Sequence, residues 1–119
     1  MKLFRKGYDI SLNIVHDTLR IRENGEILPL TVSADPMRIV AGLNKAQKKL
    51  NDLVNNGEPT EEEMREAAQF FASVIFGQEQ AEKLMAFYND DAACVINVCG
   101  TYFRERLAGK ISKLQKKHG

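Results

Sequence analysis

Cysteine is scarce in this chain: 119 residues hold only Cys94 and Cys99. Two thiols cannot build a four-ligand metal cage, and so low a number does not call for an oxidising compartment. Five apart in one helical pattern, they sit about 140° from each other around the axis, which excludes a bridge within that helix. Buried, inert thiols are the expectation. Histidine is as rare, and neither His16 nor His118 has a Cys or His neighbour at ligand spacing, so surface roles are expected for both. No apolar run approaches the roughly 20 residues of a membrane span, and residues 1–25 lack a signal-peptide pattern. No glycine-rich phosphate loop follows a strand, and no nucleophile is paired with a base. The densest acidic run, Glu61-Glu62-Glu63, is explained by the positive end of a helix dipole. These absences lead us to expect a cytoplasmic protein without catalysis, metal or cofactor.

An excess of one charge is also missing. Seventeen basic and sixteen acidic residues give a net charge of +1, too balanced to indicate nucleic acid or membrane. The balance hides segregation. Residues 1–57 carry nine basic and six acidic side chains, residues 58–91 two and nine, and residues 92–119 six and one. Solvated helix faces explain such a pattern, and so does charge-directed packing or head-to-tail self-association.

What is present describes one globular domain over residues 1–119, with 44% hydrophobic and 28% charged residues in 13.4 kDa. Residues 1–33 read as β structure. Tyr8, Ile10, Leu12 and Ile14 alternate with polar residues. Thr18–Glu23 and Glu26–Val32 flank Asn24-Gly25, whose residues both tolerate the positive φ of a type I′ turn. A two-residue turn sets Glu23 opposite Glu26, Ile21 opposite Leu28 and Leu19 opposite Leu30, leaving Arg20 and Arg22 on the other face. Pro29, lacking an N–H, suits an edge. The expected unit is an antiparallel hairpin or a three-stranded meander.

Residues 34–117 read as about four helices. Ser33 or Asp35 caps the first, with Pro36 in its first turn and Ile39, Leu43, Ala46, Leu50 and Leu53 inward. Thr60 and Glu63 form a capping box for the second, whose stripe is Met64, Ala67, Ala68, Phe71, Val74 and Ile75. Gly77 ends it. A short third helix runs from about Gln78 to Tyr88, and a last one from about Ala92 to Lys117. The fold class expected is α+β.

Two surfaces stand out. Most aromatics fall in the last three helices, and the neighbours Phe70-Phe71 and Phe87-Tyr88 place one ring of each pair at the margin of its stripe. Phe70, Phe87 and Tyr88 are therefore the candidate partner contacts, although a small helical core uses such rings too. The cations Arg104, Arg106, Lys110, Lys113, Lys116 and Lys117 could meet a nucleic-acid backbone, or simply solvate a helix end. The helix–turn–helix-like segment Met64–Asn89 carries Glu79 and Glu82 where a recognition helix needs cations, which argues against nucleic acid there.

The layout as a whole resembles a known family. The hairpin "LRIRENGEILPLTV", the segment "PTEEEMREAAQFFASVIFGQEQAEKLMAFYNDD" and the closing "YFRERLAGKISKLQKK" look like the small tail assembly chaperones of long-tailed bacteriophages and prophages of Gram-positive bacteria. The most telling stretch is "VIFGQEQAEKLMAFYNDD", and the likeness spans about residues 18–117. It implies a non-enzymatic protein that binds the tape-measure protein, keeps it soluble, helps recruit tail-tube subunits and leaves before the tail is finished. Such proteins are often made in a short and a frameshifted longer form, and this sequence would correspond to the short one. A homo-oligomer is compatible with small helical domains that share apolar faces. The alternatives are a head/tail adaptor or completion protein that stays in the particle, and a small DNA-binding regulator.

Overall fold

The computed structural model describes residues 14–118, with side chains through Leu114. It opens on an antiparallel hairpin of β1 (Val15–Glu23) and β2 (Glu26–Ala34). Asn24 and Gly25 between them take φ of 51° and 81°, the left-handed pair a tight hairpin turn requires. Glu23 faces Glu26, Ile21 faces Leu28 and Leu19 faces Leu30, the register expected from the alternation. Pro29 stands opposite Arg20. Counting outward from the turn, that pair directs its backbone groups away from the ladder, so the missing N–H costs no inter-strand bond.

β1 begins three residues earlier than Thr18 and takes in His16, which the sequence places between strands. The exposed His16 ring lies with Nδ1 3.4 Å from Oγ of Ser33, its cross-strand neighbour. The inward row of β1 is Val15, Asp17, Leu19 and Ile21, so a carboxylate interrupts the apolar alternation and hides the true start. Among the described residues the sheet has two strands. The further strand expected over Tyr8 to Ile14 falls, but for Ile14 itself, outside the described residues, and Ile14 is not in a strand.

Five helices follow. α1 (Pro36–Asn55) is capped by Asp35, which accepts from the Met37 N–H at 2.8 Å. α2 (Glu61–Phe76) starts in the expected capping box: Thr60 Oγ1 accepts from the Glu63 N–H at 3.1 Å, and the Glu63 carboxylate from the Thr60 N–H at 2.9 Å. Gly77, with φ 87°, breaks the path between α2 and α3 (Gln78–Phe87). α4 (Ala92–Tyr102) is capped by Asp91. The single long helix expected after Ala92 is not regular. Phe103–Leu107 forms a π-helical turn, and α5 (Ala108–His118) continues beyond it.

α2 is the central element, packing on α1, α3, α4 and β2. Its Ala67, Ala68 and Ala72 are buried and small enough to let neighbours approach. The core joins Leu30 and Val32 of the hairpin to Ile39, Ile75, Leu84, Val95, Cys99 and Leu107, so all the elements share one apolar centre. Burial of each such large side chain contributes roughly 1.5–3 kcal/mol before the entropy of ordering is subtracted.

Candidate partner-binding site

Phe70 sits half-buried on α2, at the margin of the stripe as its sequence position implies. The Lys49 ammonium of α1 lies 5.9 Å from its ring centroid, at the outer limit of a cation–π contact. The ring lines a cleft of about 570 Å³ bounded by β2, α1, α2 and the start of α3. Arg38 and Lys45 line the same cleft. Seven residues apart, they fall within about 20° of each other on α1. Among the described residues neither takes part in an ion pair. The cleft thus combines an aromatic wall with two uncompensated cations.

Gln80 closes the sheet side of this cleft. Its Nε2 donates to the carbonyls of Thr31 and Phe76, both at 2.7 Å, and its Oε1 accepts from the Thr31 N–H at 2.8 Å. The side-chain amide acts as a one-residue third strand on the outer edge of β2.

Phe87 and Tyr88 lie elsewhere, at the C-terminal end of α3. Their rings meet edge to face, with centroids 5.2 Å apart at 89°, and both are half-buried. Partial burial, with the Glu23 carboxylate adding to it, raises the Tyr88 hydroxyl above the ordinary tyrosine value. The Phe70 cleft does not include them. The three candidate aromatics therefore form two separate places.

The sequence passes over a polar cluster centred on one buried carboxylate. Asp17 of β1 has a side chain only 5% exposed. Its Oδ2 accepts from the Tyr102 hydroxyl at 2.8 Å, and its Oδ1 from Arg106 Nη2 at 2.7 Å and from the Thr18 N–H at 2.9 Å. Lys110 Nζ stands 4.0 Å away. Tyr102, Arg106 and Lys110 recur every four residues, a spacing that drifts about 40° per step on a regular α-helix. The wider π-helical turn advances fewer degrees per residue and offsets part of that drift. Burial, and then the bond to Asp17, raises the Tyr102 hydroxyl far above its usual value. The cluster ties the hairpin to the C-terminal helix. Arg106 and Lys110, two of the cations considered for nucleic acid, face Asp17. A period of four in Tyr, Arg and Lys, set against one acid at an inward strand position, is the signal that could have revealed it.

Both thiols are free. Burial pushes Cys99 up to about 12, and Cys94 is raised by desolvation and by Asp91. Among the described residues, no three His, Cys, Asp or Glu side chains are grouped to hold a metal ion. No helix among them is long and apolar enough to cross a membrane. No protein-family model matches the chain, and neither does any curated protein or solved structure.

Proposed function

We propose that this protein is a tail assembly chaperone of a long-tailed phage or prophage. It acts in the bacterial cytoplasm without catalysis, holding the tape-measure protein in solution and assisting assembly of the tail tube around it. The observation that carries the reading is the Phe70 cleft. A tape-measure protein presents long apolar helical stripes before assembly, and an amphipathic helix docks by laying such a stripe into an aromatic-walled groove. Arg38 and Lys45 would select a helix with acidic residues flanking the stripe, and would do so more weakly as salt rises. Phe87 and Tyr88 supply a second contact, so one chain can touch its target at two points. Weak contacts of this kind add when many copies line one long helix.

The test is co-expression with the long helical protein encoded nearby. Phe70→Ser should lower the soluble fraction of that protein several-fold while the circular dichroism spectrum and melting temperature of the variant stay near wild type. An unfolded Phe70→Ser variant would assign the ring to the core instead. Equal solubilisation by a folded variant would remove the cleft from the mechanism.

A further inference from the structure

The two outer edges of the hairpin are treated differently. On β2, Pro29 has no N–H to offer and Thr31 is closed by the Gln80 amide. Both devices block addition of another strand. On β1, hydrogen-bonded pairs counted from Glu23–Glu26 leave Thr18, Arg20 and Arg22 directing their N–H and C=O groups outward. The Thr18 N–H is taken by Asp17. Among the described residues, the outward backbone groups of Arg20 and Arg22 have no hydrogen-bond partner. Among the described residues, this edge is open over one short stretch.

Beside that stretch lies an apolar hollow of about 300 Å³, lined by Leu19, Ile21, Val98, Thr101 and Tyr102 among others. No β2 residue lines it, so it opens on the β1 side. The opposite face of the same stretch is cationic. Arg20 and Arg22 are exposed, their cross-strand neighbours are Pro29 and Ile27, and neither takes part in an ion pair among the described residues. A strand added here would alternate its side chains between an apolar hollow and two unpaired guanidinium groups.

We infer that the outer edge of β1 is a strand-addition site for an extended segment of a partner protein in which apolar and acidic residues alternate. Backbone bonds to Arg20 and Arg22 hold the segment, the hollow takes its apolar side chains, and the two arginines take its carboxylates. A second copy of this chain is a poor occupant. Two-fold edge pairing centred on this stretch sets Arg20 against Arg20 or Arg22, and like charges directly opposite are destabilising. The surface is separate from the Phe70 cleft, and the inference does not rest on the chaperone reading.

The probe is a fluorescein-labelled eight-residue peptide of alternating Val and Glu, titrated against the full chain by anisotropy, with a Val/Lys peptide as control. The Val/Glu peptide should bind at least tenfold more tightly than the control and slow hydrogen exchange at the Arg20 and Arg22 amides. Arg20→Pro removes an outward N–H while sparing the ladder to β2, as Pro29 does on the other strand, and should abolish binding. The double variant Arg20→Glu with Arg22→Glu changes only exposed side chains and should reverse the preference toward the Val/Lys peptide. Failure of the full chain to prefer the Val/Glu peptide would overturn the inference. So would exchange at Arg20 and Arg22 already slow without peptide, whether through a second copy seen by sedimentation or through the chain's own residues 8–12.

Discussion

Replacing Asp17 with alanine should destabilise the fold by about 1–4 kcal/mol. The Tyr102 side chain is buried, and losing the acceptor at 2.8 Å strands its hydroxyl, which costs about 1–3 kcal/mol. The bond from Arg106 is charge-assisted at 2.7 Å, but its side chain is 53% exposed and can turn to water. Its loss contributes about 1 kcal/mol or less. The Thr18 N–H lies at an exposed edge and exchanges its acceptor for solvent at little cost. For a domain of this size each kcal/mol moves the midpoint by about 4 °C, so thermal unfolding followed by circular dichroism should shift down by roughly 4–16 °C. Tyr102→Phe should lower it less, and a double-mutant cycle between the two sites should show a coupling of about 1–2 kcal/mol. A shift under about 3 °C for Asp17→Ala, or no coupling in the cycle, would refute the view that this cluster fastens the hairpin to the C-terminal helix.

Three other perturbations follow from particular contacts. A Cβ on Gly42 would sit 2.6 Å from Val74 Cγ1, so Gly42→Ala should lose the roughly 1 kcal/mol that alanine usually adds in a helix. In a Val74→Ala background the same change should be stabilising, a reversal visible in urea midpoints. Thr60→Ala opens the capping box of α2 and should cost about 1 kcal/mol, or roughly 4 °C in melting temperature. Cys99, pushed up to about 12, stays a thiol in the fold while the unfolded chain ionises near its ordinary 9.0. The unfolded state therefore releases its proton first, and stability should fall as pH rises from about 9 toward 12, with no contribution from this group below pH 8. Urea midpoints at pH 8 and 10.5 compare the two, and Cys99→Val should reduce the difference. Native Cys99 should also resist a thiol reagent at pH 8 until the protein unfolds.

Local rules made much of the fold legible. Asn24-Gly25, flanked by alternating residues, fixed the hairpin and its register, because only one offset puts Leu19 and Ile21 against Leu30 and Leu28. Thr60 with Glu63 marks the start of α2, and Pro36 that of α1 with Ser33 or Asp35 as its cap, of which the structure uses Asp35, since capping chemistry is written in a few adjacent residues. Features created by distant residues were not legible. Asp17 shares the inward parity of Leu19 and Ile21 but falls before the strand that starts at Thr18 in the sequence pattern, and its partners Tyr102 and Arg106 lie 85 and 89 residues away. The π-helical turn after Tyr102 leaves no local mark, because the residues Phe103–Leu107 suit an ordinary helix as well. The place of Phe70 at the edge of a stripe is visible in the sequence, whereas the cleft around it needs α1 and β2 in position. The separation of Phe70 from Phe87 and Tyr88 likewise follows from tertiary packing, which periodicity along one helix does not encode.

The most direct test of the proposed role is size-exclusion chromatography with light scattering on this chain co-expressed with the long helical protein encoded nearby, which the proposal takes as the tape-measure protein. The account predicts one soluble species whose mass corresponds to several copies of this chain on each tape-measure chain, separating as salt rises. A tape-measure protein that stays soluble and elutes alone, or that precipitates equally with and without this chain, would contradict it.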